Sequence, residues 1–263
     1  RPAFELADII RLYKTAFQKT YPHHAVGNKV LHALEQCRTA ALGGHVDACD
    51  SCGNIRISYN SCRNRHCPKC QSINRERWIY NRTEDLLPCT YFHVVFTIPE
   101  QINTWCMQFP TELYNILFAA ASDTIEVFSR DRKYLCAQPG MIALLHTWGQ
   151  NLSLHPHVHM IVPGGGVTPS NQWKVAKSKG KFLFPVKAMS VVFRAKFMQS
   201  LIKLLNEKDH SMDVKKRDEL YRKSWVVYAK QPFGGPQGVI EYLGRYTHKV
   251  AISNHRIKSI ADG

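Results

Sequence analysis

Apolar residues near the start of the chain fall at Phe4, Leu6, Ala7, Ile9, Ile10, Tyr13 and Phe17, the spacing of a helix with one buried face. A second helix is predicted over 26–42. A cysteine-rich stretch runs from His45 to Cys70, and Glu76 to Leu87 has helical character up to Pro88. The pattern then changes. Thr90-Tyr91-Phe92-His93-Val94-Val95-Phe96-Thr97 is a β-branched and aromatic run stopped by Pro99, which predicts a buried strand. Residues 111–130 predict a helix. Ile142–Trp148 and Val158–Val162 are strand-like, with Asn151-Leu152-Ser153 between them, so they predict a hairpin that ends at Pro163-Gly164-Gly165-Gly166. A basic, irregular segment follows at 167–187. Beyond it the pattern predicts helices over 188–206 and 213–222, a strand over 225–229 and a turn-rich loop over 232–238, a candidate active-site flap. A short helix over 239–247 and a final strand over 250–257 complete the series. The division falls near Pro88, giving domains 1–87 and 88–263; no internal repeat is visible.

Composition narrows the class. The 263 residues are 44% hydrophobic and 21% charged, enough apolar content for a packed core and too little charge for long disorder. No run has the roughly 18 apolar residues of a membrane span, and no signal peptide is apparent, so a cytoplasmic location is expected. The chain starts at Arg1, which points to a processed or trimmed start. Its net charge of +15 makes nucleic acid the leading partner, and no basic amphipathic helix suggests a membrane surface.

Six of nine cysteines lie between Cys37 and Cys70. Such clustering, with two CxxC pairs, fits zinc in a reducing compartment better than disulfides. Cys49-x-x-Cys52 and Cys67-x-x-Cys70, 14 residues apart, are the expected four ligands of a tetrahedral zinc site. Cys37, His45, Cys62 and His66 form a candidate second set; the alternative is a core Cys37 with the histidines facing phosphate or water. Arg63, Arg65, Lys69, Arg75 and Arg77 make the region a candidate DNA-contacting surface. A structural zinc leaves no open position for catalysis, so the chemistry is expected elsewhere.

His155-Pro156-His157-Val158-His159 leads into a hydrophobic strand. Alternate strand residues share a face, so His157 and His159 can offer two imidazoles to one divalent ion. His146, on the preceding hairpin strand, completes a three-nitrogen face if the register brings it opposite either one. His155 and Gln150 are the weaker third-ligand candidates. Tyr242 and Tyr246 stand four apart on a predicted helix, with Lys249 three beyond, and share one face. A metal-polarised phosphate and a tyrosine favoured as phenolate by a nearby cation suggest two-step transfer through a covalent protein–DNA link.

Together these segments resemble the two-tyrosine HUH transposases of the insertion sequence ninety-one family, relatives of rolling-circle initiators and conjugative relaxases. The resemblance rests on Cys37-Arg38-Thr39, Leu42-Gly43-Gly44-His45, Ser61 through Gln71, Phe92 through Thr97, Leu145-His146-Thr147-Trp148, His155 through His159, and Tyr242 through Asn254, and covers nearly the whole chain. It implies an α+β fold: an N-terminal helical zinc-binding domain, then an HUH nuclease domain with a central antiparallel sheet flanked by helices. It implies Mg2+ or Mn2+ at the histidines, single-stranded DNA of element ends and target as partner, and a 5′-phosphotyrosine intermediate. Tyr246, Tyr242 and Lys249 are then the catalytic candidates, and Arg245 joins the DNA-binding set. Members of this family usually continue beyond the point that corresponds to Gly263. Two other readings stay open: a plasmid initiator or relaxase with the same chemistry, and a noncatalytic zinc-dependent DNA-binding protein.

Overall fold

A computed structural model of the chain describes residues 2–149, 151–178, 183–230, 237–238, 240–241, 243–244 and 252–260. Two compact units emerge, one of Arg1–Tyr80 with Gly244–Gly263, the other of Asn81–Leu243. The expected division at 87/88 differs from this one by a few residues, and by the C-terminal end, which joins the first unit.

In the first unit, α1 (Leu6–Thr20) packs on α2 (Ala25–Gln36). Helix α2 stops earlier than the periodicity suggested, because Cys37 is extended and Arg38 is left-handed. Strands β1 (Gly44–Ala48) and β2 (Ile55–Tyr59) pair antiparallel as a hairpin that the sequence pattern did not announce. All but one of its residues are exposed, so no alternation of buried and polar positions marks it. Helix α3 (Pro68–Glu84) starts well before the expected Glu76. Pro68 suits a first helical position, since its ring presets φ and it lacks an N–H that would otherwise have no partner there. A small core forms from Ile10, Leu34, Cys37, Cys67 and Cys70. The expected strand over 250–257 is not one where residues are described: Asn254–Arg256 form a single 3-10 turn. Asn254 is buried, and its side-chain oxygen accepts from Leu6 N–H at 3.0 Å, capping the start of α1.

The second unit is built on a four-stranded antiparallel sheet in the order β4-β5-β3-β8. These are β3 (Tyr91–Thr97), β4 (Ile142–Trp148), β5 (Leu154–Pro163) and β8 (Val227–Lys230). The α+β class with an antiparallel sheet is therefore as expected. One face carries Phe92, Val94, Phe96, Val158, Met160 and Val162, all buried. Against it lie α5 (Pro110–Arg130) and α6 (Val186–Glu207), which also pack on each other. Helix α6 sends Met189, Phe193, Phe197 and Leu201 inward at four-residue intervals, and Phe193 meets Phe96 with ring centroids 4.9 Å apart. Short α4 (Asn103–Gln108), α7 (Val214–Arg222) and the ribbon of β6 (Gly165–Val167) with β7 (Trp173–Val175) complete the unit. Among the described residues no helix is long and apolar enough to cross a membrane.

Candidate metal centres

The sheet face opposite the core carries the histidines, and register puts them there. His146 pairs with His157 across β4 and β5, and His159 sits opposite both Leu144 and Val95. Because strand residues alternate, Val158 and Met160 point into the core while His157 and His159 share the other face. One nitrogen from each of His146, His157 and His159 lies within 4.8 Å of the others, a spacing that one metal ion can bridge. His146 and His159 are 9% and 6% exposed, so these two are sheltered from bulk water, while His157 is half-buried. Burial, with smaller repulsions from neighbouring histidines, takes His146 down to about 3 and His159 to about 2. Burial also lowers His157. At neutral pH all three rings are uncharged and hold lone pairs for a cation.

Two ligands are oriented by partners. His157 Nδ1 donates to the His155 carbonyl, which leaves its Nε2 for an ion. The exposed His155 therefore serves through its backbone, and its ring is not one of the three. His159 Nδ1 lies 2.7 Å from Nε2 of His93 on β3, in nearly coplanar rings. The strand pattern of 90–97 predicted His93's location but not its partner. Its signal was position: His93 is two residues from Val95, which faces His159, so it shares that face. Tyr228 of β8 approaches His93 edge-on at 6.2 Å. Gln150, Tyr242, Arg245, Tyr246 and Lys249 lie outside the described residues.

In the first unit four thiols converge: Cys37, Cys62, Cys67 and Cys70. Cys70 Sγ is 3.5 Å from Cys37 Sγ and 3.6 Å from Cys62 Sγ. Four sulfurs at ~2.3 Å from a zinc ion stand about 3.8 Å apart at the edges of the tetrahedron, so these separations fit that ion. They are far too long for disulfides. Burial pushes the Cys62 thiol up to about 11 and Cys67 higher still; a divalent cation is what would let them ionise together.

The thiols beside Cys67 and Cys70 are thus Cys37 and Cys62, both from the expected second set, and not Cys49 and Cys52. That CxxC pair sits exposed at the tip of the β1–β2 hairpin, where Gly53 adopts φ +68°. There the Cys52 and Ser51 backbone amides lower the Cys49 thiol to about 7. Nor do His45 and His66 join the thiol group; both are exposed. Of the basic candidates, Lys69 is bound to Glu5 at 2.8 Å and Arg75 to Glu76. Arg65 donates to His66, Arg77 is exposed, and Arg63 lines a polar pocket.

Comparison with known proteins identifies the family. The family model described as "Transposase zinc-binding domain" matches residues 9–98, and the one described as "Putative transposase" matches 140–263. The chain is 45% identical to "Putative transposase y4qJ" of Sinorhizobium fredii over 98% of its own length and 68% of that relative. It is 26% identical to the transposase for insertion sequence element IS801 of Pseudomonas savastanoi pv. phaseolicola, over 86% of its length and 56% of that protein. Among solved structures, metal-bound conjugative relaxase TrwC with oriT DNA aligns at TM-score 0.35 and 11% identity, over 60% of this chain and 70% of that one. TrwC with a 27-mer DNA aligns at TM-score 0.34 and 10% identity, over 60% and 72%. Two transposase family models that together match most of the chain, and 45% identity to a transposase over nearly its whole length, converge: the chain belongs to the insertion sequence ninety-one family of transposases.

Proposed function

We propose that the chain nicks and rejoins single-stranded DNA at the ends of a mobile element by metal-assisted tyrosine attack, through a 5′-phosphotyrosine intermediate. The observation that carries this reading is the convergence of His146, His157 and His159 on one face. Three neutral nitrogens suit Mn2+ better than Mg2+, which prefers oxygen ligands. When bound, the ion supplies a Lewis acid for a phosphodiester oxygen. The His155 carbonyl and His93 engage Nδ1 of His157 and of His159, which leaves their Nε2 atoms for the ion. Tyr246 is assigned the first attack, with Lys249 favouring its phenolate, and Tyr242 the strand-transfer step. Cys37, Cys62, Cys67 and Cys70 hold a zinc that stabilises the N-terminal fold and takes no part in the chemistry. The partners are single-stranded DNA of the element ends and the target. The test is incubation of labelled single-stranded element ends with protein and Mn2+ or Mg2+, followed by a denaturing gel. A covalent adduct is expected from the parent protein. The double variant His157→Ala/His159→Ala should still bind DNA but form none; nicking at the parent rate by that variant would refute the metal assignment.

A further inference from the structure

Arg38, His45, Tyr59, Asn60, Ser61 and Arg63 line a cavity of about 490 Å3 in the first unit. Arg38 has φ 57° and Arg63 φ 52°, left-handed conformations that cost a non-glycine residue on the order of 1 kcal/mol or more. Each directly follows a thiol of the four-cysteine group, Cys37 and Cys62 respectively. The backbone between them is pinned: Arg38 N–H donates to the Asn60 carbonyl at 3.1 Å, and Asn60 Nδ2 donates to the Leu42 carbonyl at 3.0 Å. These hydrogen bonds hold the segment at Arg38 and Asn60, and both arginines line one cavity. Some other arginines are ion-paired, as Arg11 is with Asp8, Arg82 with Asp85 and Arg130 with Glu126. Among the described residues, neither Arg38 nor Arg63 has a carboxylate within salt-bridge distance. Asp47 Oδ2 stands 3.9 Å from Nε2 of the lining residue His45.

We propose that this pocket binds a backbone phosphate of single-stranded DNA, with the two guanidinium groups on its oxygens and Tyr59 as a stacking surface for an adjoining base. Guanidinium groups match phosphate with paired hydrogen bonds. Aromatic rings accept any base, so the contact positions the strand without reading its sequence. The cavity lies within the ~300–1,000 Å3 of sites that hold small ligands. The proposal rests on the reading that the chain acts on DNA and adds where the zinc-binding unit grips it.

Arg38→Gly/Arg63→Gly removes both guanidinium groups and relieves both left-handed positions, since glycine adopts them freely. Binding of the full zinc-loaded chain to a fluorescent single-stranded oligonucleotide should weaken at least 10-fold. The slope of log affinity against log salt should fall by about 0.7, the value for one phosphate contact on a single strand. Zinc content should be unchanged and Tm equal or higher. The control Arg11→Gln/Arg130→Gln removes the same charge outside the pocket and should weaken binding much less. Arg38→Lys/Arg63→Lys keeps the charge and should recover only part of the affinity. Equal loss in pocket and control variants, or none in either, overturns the pocket while leaving the DNA reading intact. No oligonucleotide binding by the parent protein overturns both. Isothermal titration with inorganic phosphate separates the sources of the anion: tight phosphate binding that the oligonucleotide does not displace assigns the pocket to a free anion and overturns the proposal.

Discussion

Replacing His93 tests whether the histidine centre depends on its support as well as on its ligands. His159 is 6% exposed, and its Nδ1 sits 2.7 Å from His93 Nε2. For Nε2 of His159 to present its lone pair to a cation, Nδ1 must carry the proton and donate it to His93. In His93→Phe the metal-bound state buries that N–H without this acceptor, whereas the metal-free ring can switch tautomer or turn. A buried unsatisfied donor costs about 1–3 kcal/mol. Loss of a supporting group of this kind typically lowers metal affinity 10–100-fold, or about 1.4–2.7 kcal/mol. Titration of metal-free protein with Mn2+, following the free-ion signal by electron paramagnetic resonance, should show Kd rising by that factor in His93→Phe. His93→Gln, whose carbonyl oxygen can accept, should recover most of it. The aromatic replacement keeps the ring packing against Tyr228, so His93→Phe should melt near the parent temperature. A Kd within threefold of parent in a well-folded His93→Phe protein would refute the argument.

Zinc should be lost, with a fall in Tm, on Cys37→Ser or Cys70→Ser and retained in Cys49→Ser/Cys52→Ser, as read by elemental analysis; the reverse result assigns the site to the hairpin pair. In zinc-loaded protein Cys49, with its thiol at about 7, should alkylate at neutral pH, at a rate that rises through about pH 7 and levels above it as the thiolate fills; mass mapping should find Cys37, Cys62, Cys67 and Cys70 protected. Tyr246→Phe should fold and bind DNA but form no initial adduct, while Tyr242→Phe should form the adduct and fail in full transposition; peptide mapping that finds the 5′-phosphate on Tyr242 alone inverts the assignment. Phe193→Ala, which empties a fully buried site against Phe96 and Trp225, should cost about 3–5 kcal/mol in denaturant unfolding without altering zinc content; a loss under 1 kcal/mol would mean the core there repacks.

Local pattern alone carried much of this protein. Helices α5 and α6 are legible because their apolar residues recur with the helical period, and strand β3 because it is a β-branched and aromatic run stopped by Pro99; both signals are properties of neighbouring residues. The pairing of His157 with His159 follows the same rule, since alternation on a strand needs no distant partner. His146 required more: its spacing allowed a third ligand, but only the register of β4 on β5 sets it beside His157. Hairpin β1–β2 escaped the reading because its residues are exposed, and without a buried face alternation has no cause. The composition of the thiol group escaped it for another reason. CxxC spacing describes what two nearby thiols can do, while the choice of the other two depends on where the end of α2 and the segment before α3 meet. That meeting brings Cys37 and Cys62 to Cys67 and Cys70, and carries Cys49 and Cys52 away to the tip of a hairpin. His93 is the same lesson within the sheet. Its strand was evident from local pattern, yet its contact with His159 exists only because β3 lies next to β5, a pairing of residues 66 apart that hydrogen bonding and core packing decide together.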